Sequence, residues 1–117
     1  MITVDPVIKK QIDIQSRLAE LDAWFAEKQR EGITTSGGIR LAMTDSDVTL
    51  LTGNYVLAKE SASLDGPIPP LIDANGVAHT FSQIEELTAV MLGYGLARAE
   101  LSREYAGRKA QIVASVP

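Results

Sequence analysis

Apolar residues in the first thirty positions recur at alternating steps of four and three. Val7, Gln11, Ile14, Leu18, Leu21, Phe25 and Lys28 keep the heptad rhythm of a coiled-coil seam, with Gln11 the one polar residue between apolar positions. Ile8, Ile12 and Trp24 lie beside that stripe, so the apolar face is wide enough to meet both a partner and the chain's own body. Asp5 stands where an N-cap would precede Pro6, and Gly32 follows Lys28, Arg30 and Glu31 as a C-terminal stop. The pattern predicts a helix from about Pro6 to Glu31. Its expected association surface is Val7, Ile14, Leu18, Leu21, Trp24 and Phe25.

After Gly32 the period shortens. The run Ile33 to Met43 sets β-branched or apolar residues on both sides of Ser36-Gly37-Gly38, which predicts two short strands joined by a tight turn. Thr44 with Asp47 three positions on forms a capping pair for a second helix reaching about Ala62, with Val48, Leu51, Tyr55 and Ala58 as its buried stripe. Gly53 within it suits a close helix crossing. Prolines at 67, 69 and 70 then exclude regular helix and remove backbone donors, so this stretch is a rigid connection. Asn75-Gly76 separates two further short β-favouring runs, a second hairpin, and the two hairpins are expected to form one small antiparallel sheet.

Ser82 and Glu85 have the spacing of a capping box ahead of a last, longest helix that continues to about Val113. Ile84, Leu87, Met91, Tyr94, Leu101, Tyr105 and Ile112 are its stripe, interrupted by Arg98 and Arg108. The fold class is therefore helix-dominated α+β: a long N-terminal helix, two short β-hairpins, a middle helix and a long C-terminal helix. Residues 1–31 are expected to act as an amphipathic association helix and 32–117 as a small α+β domain.

Composition narrows the function classes. The 117 residues suffice for one modest core. A net charge of -4, with the acidic excess between residues 33 and 81, gives no electrostatic reason to approach nucleic acid or anionic lipid. The start of the chain lacks the basic and apolar pattern of a signal peptide, and the weakly charged run Thr88 to Ala97 is roughly half the length a membrane span needs. There is no cysteine, so disulfide and thiolate-metal chemistry are absent.

Candidate chemistry fares poorly. His79 is the only histidine and reads as a strand residue. Asp45 and Asp47 resemble the start of a calcium loop, but Leu50 stands where such a loop needs glycine and Val56 where it needs glutamate. Gly93-Tyr94-Gly95 lies in a helical pattern with Arg98 at the third glycine position, so packing explains it better than a dinucleotide. Glu100 and Glu104 interleave Arg98, Arg103, Arg108 and Lys109, the signature of a solvated face with paired charges. A cleft built on Tyr94, Arg98 and His79 is the one small-ligand or enzymatic arrangement considered. No catalytic, cofactor or metal residues are assigned, and the chain is read as a non-enzyme.

The order Gly32, Ile33, Gly38, Thr44, Asp45, Gly53, Asn75, Gly76, Phe81 and Ser82 resembles an uncharacterised domain family that recurs in bacteriophage tail and tail-fibre proteins. The resemblance covers residues 32–113. It implies a virion structural protein at the tail tip, baseplate or fibre attachment, with other tail proteins as partners and homo-oligomer contacts through the first helix. It further implies synthesis in the host bacterial cytoplasm and location in the virion tail. The alternative is a tail-fibre assembly chaperone absent from the mature virion.

Overall fold

The computed structural model describes residues 5–115. The Asp5 side chain accepts a 2.8 Å hydrogen bond from the backbone N–H of Val7, and Pro6 opens α1 (Pro6–Glu31). Gly32 ends it with φ 65°, its N–H donating to the Lys28 carbonyl at 3.0 Å. Glycine is required twice over here. A Cβ at this position would come within 1.9 Å of the Leu41 carbonyl oxygen, and the positive φ disfavours any side chain.

The close approach at Gly32 pins the first hairpin to the end of α1. Strands β1 (Ile33–Thr34) and β2 (Arg40–Leu41) pair antiparallel, Ile33 opposite Leu41. Met43 N–H then donates to the Gln29 carbonyl at 2.7 Å. Thr44 caps α2 (Asp45–Ser63) through a reciprocal box with Asp47, as the spacing predicted. Strands β3 (Leu71–Ile72) and β4 (Ala78–His79) form the second antiparallel pair, and α3 (Ile84–Ala114) closes the fold.

The helix-dominated α+β class, with long first and last helices, is what the periodicity predicted. Three local expectations are corrected. The hairpins do not merge into one sheet; they remain two separate strand pairs. What joins them is a 2.8 Å hydrogen bond from Ala74 N–H to the Arg40 carbonyl, with the Arg40 guanidinium on the Asn75 side-chain oxygen at 3.3 Å. Secondly, Ser82 does not cap α3. Gln83 holds the N-cap position without a side-chain bond, and the Ser82 hydroxyl donates instead to Glu86 at 2.9 Å. Thirdly, a Cβ at Gly53, Gly93 or Gly95 would meet nothing within 4 Å, so none of these glycines serves a close helix crossing.

The α3 helix is the spine. Its 31 residues span about 46 Å at 1.5 Å per residue. The first half packs on α2 and the hairpins, where Leu87, Tyr94 and Leu101 meet Ile39, Leu41, Met43, Leu51, Ala58 and Leu71 in the core. Leu41 is 1% exposed. Tyr55 and Thr88 hydroxyls lie 2.8 Å apart, and Arg98 reaches Asp45 at 2.8 Å, so α2 runs antiparallel to α3. Its second half packs on α1, also antiparallel. Tyr105 donates to Asp22 at 2.6 Å, and the Phe25 and Tyr105 rings stack at 4.4 Å. α1 and α2 thus lie one after the other along α3, and the molecule is a rod of 75 × 24 × 22 Å.

Candidate association surface

The seam predicted along α1 divides at Ile14. C-terminal to it the seam turns inward: Leu21 is buried, and Ile14, Leu18, Trp24 and Phe25 are half-buried. Arg108, one of the two arginines that interrupt the α3 stripe, lies 4.1 Å over the Trp24 ring, a cation–π contact. The hydrogen bond to Asp22, followed by burial, pushes the Tyr105 hydroxyl above the usual phenol range. Of the six residues expected to bind a partner, five therefore contribute to packing within the chain.

N-terminal to Ile14 nothing covers the helix among the described residues. Ser115, at the end of α3, shares a surface depression with Asp13 and Ile14, so the turns before Lys10 project past the spine. Val7 is 63% exposed and Ile12 55%, with Ile8 exposed beside them. Two apolar residues of this overhang, Ile8 and Ile12, were left out of the predicted surface. Their i, i+4 spacing was the available signal. Where α1 and α3 run together, an open cleft of about 570 Å³ lies between Arg17, Trp24, Arg108 and Ile112.

A second exposed apolar set was also missed. Leu50, Leu57 and Leu64 recur at seven-residue steps on and just past α2, turned away from its Leu51–Ala58 core stripe. Leu64, 82% exposed, sits where the chain leaves α2 for a left-handed Asp65 at φ 59°. At that end of the rod, Asp65, Ile68, Phe81, Ile84 and Glu85 line an open cavity of about 400 Å³.

The alternative small-ligand site does not assemble. The Tyr94 hydroxyl donates to the Ala42 carbonyl at 2.7 Å, and burial first, then Asp47, pushes its pKa up to about 12. Arg98 pairs with Asp45, and His79 Nε2 lies 2.7 Å from Asp73 Oδ2. The three side chains are committed to three different partners inside the fold. Asp73 is the most heavily used polar group: its other oxygen accepts the N–H groups of Asn75 and Val77, both at 2.9 Å. The His79 hydrogen bond, helped by that from Val77, holds its carboxyl below the usual range. This is the staple of the second hairpin turn.

Among the described residues no group of three or more His, Asp or Glu is placed to hold a metal ion. No helix among them is long and apolar enough to cross a membrane. Comparison with family models, with curated proteins and with solved structures finds no match for this chain.

Proposed function

We propose that this chain is a structural component of a bacteriophage tail, at the tail tip, baseplate or fibre attachment, and that it works by packing against other protein chains. The observation that carries the packing role is the α1 overhang. Val7, Ile8 and Ile12 project beyond the end of α3 on a helix that is capped and continuous with the packed seam. A two-turn stretch of helix is marginal in isolation, and exposed apolar side chains on it gain most from a partner that covers them. The tail setting is supported by the resemblance of residues 32–113 to the phage tail domain family. A non-catalytic role is supported by the commitment of Tyr94, Arg98 and His79 to internal partners.

The test is mass spectrometry of phage particles purified from the producing host. Peptides of this chain at a fixed ratio to a known tail protein are expected. Their presence in the lysate and absence from intact particles would replace this reading with that of an assembly chaperone.

A further inference from the structure

The rod is electrically polarised. The α1 overhang carries Lys9, Lys10 and Arg17 against the single carboxylate of Asp13, all exposed, and the adjoining end of α3 adds Arg108 and Lys109. No acidic residue occupies the first turn of α1. Lysines so near the positive end of a helix dipole oppose it, and a carboxylate brought from outside relieves that opposition. The opposite end of the rod presents exposed Glu60, Asp65, Glu85 and Glu86 against Lys59 alone. There, Asp65 and Glu85 share the mouth of one cavity whose apolar walls include Ile68, Phe81 and Ile84.

Each end therefore has exposed apolar surface framed by charge of one sign, and the signs are opposite. We propose that the α1 overhang docks on the acidic α2/α3 end of a second copy of this chain, head to tail. This rests on the packing role of the overhang argued above. Pairing of two like ends would bring lysine against lysine and is disfavoured; pairing of unlike ends is attractive and seats Val7, Ile8 and Ile12 against the Ile68, Phe81 and Ile84 walls. Such a contact is heterologous. It repeats from copy to copy and ends only by closing into a ring.

Light scattering and sedimentation of the full chain test it, with Lys9→Glu/Lys10→Glu as one variant and Asp65→Lys/Glu85→Lys as another. For the native chain, mass is expected to rise with concentration past that of a dimer and to fall as salt is added. Each variant alone is expected to lose association, and an equimolar mixture of the two to regain it, which also shows that both are folded. A native chain that stays monomeric, one that stops at a dimer, or variants that associate like the native chain would each overturn the proposal. Incorporation into phage particles by a chain that does not self-associate would sink head-to-tail docking while leaving the tail role standing.

Discussion

One helix runs through two unlike environments. The first half of α3 is surrounded by α2 and both hairpins, and its inward residues Leu87, Tyr94 and Leu101 are all buried. The second half has α1 as its main packing partner, and there Tyr105 and Ile112 remain half-exposed. The same heptad-like stripe thus yields a closed core at one end and a two-helix ribbon at the other. What differs is the number of layers, because a two-helix contact covers one face of each helix and leaves the flanks to solvent. Stability is expected to concentrate in the layered half, and association in the ribbon and at the rod's two ends.

The sharpest way to break that contrast is to remove volume from each half. Leu41→Ala, in the layered core, is expected to cost about 2–5 kcal/mol in urea unfolding. Leu18→Ala, half-buried on α1, should cost clearly less. Equal losses would mean that the ribbon is as tightly closed as the core. A smaller, local effect is expected at Asp73. Its folded pKa is depressed below the ordinary 3.8, so its contribution is complete above that value and is lost as pH falls through the lowered one. Acid titration followed by amide exchange at Asn75 and Val77 should show the hairpin turn opening, and Asp73→Asn should remove that acid-dependent step. The smallest effect is predicted for Val7→Ser, within about 0.5 kcal/mol by the same urea measurement, since an exposed site far from the core has little to lose. A larger loss would mean that the overhang contributes to the monomer's own stability.

Most element boundaries were legible because they are decided locally. Asp5-Pro6 and Gly32 bound α1 through hydrogen bonds to immediate neighbours, and the Thr44–Asp47 box starts α2 in the same way. The failures came where a distant group decided the outcome. Ser82 had a good local capping partner but spends its hydroxyl on Glu86. The hairpins each have sound turn chemistry, yet nothing in either strand pair specifies whether the two should pair with each other. One backbone hydrogen bond from Ala74 to Arg40 and one side-chain contact join them instead.

The candidate surface shows the same limit. The α1 seam was visible, but not how much of it α3 would take. That depended on where the C-terminal end of α3 falls, beside Asp13 and Ile14. Arg108 looked like an interruption of the α3 stripe because its value depends on Trp24, more than eighty residues earlier in the chain. Leu50, Leu57 and Leu64 were hidden for another reason: the adjacent Leu51–Ala58 stripe explained α2 well enough to draw attention away from its flank.

The antiparallel seating of α1 on α3 also governs how the rod would carry tension. A load drawing the free end of α1 outward along the long axis, against an anchor at the α2/α3 end, slides one helix along the other. Leu18, Leu21, Trp24 and Phe25 would then resist simultaneously, and the joint would fail in shear instead of peeling open one side chain at a time.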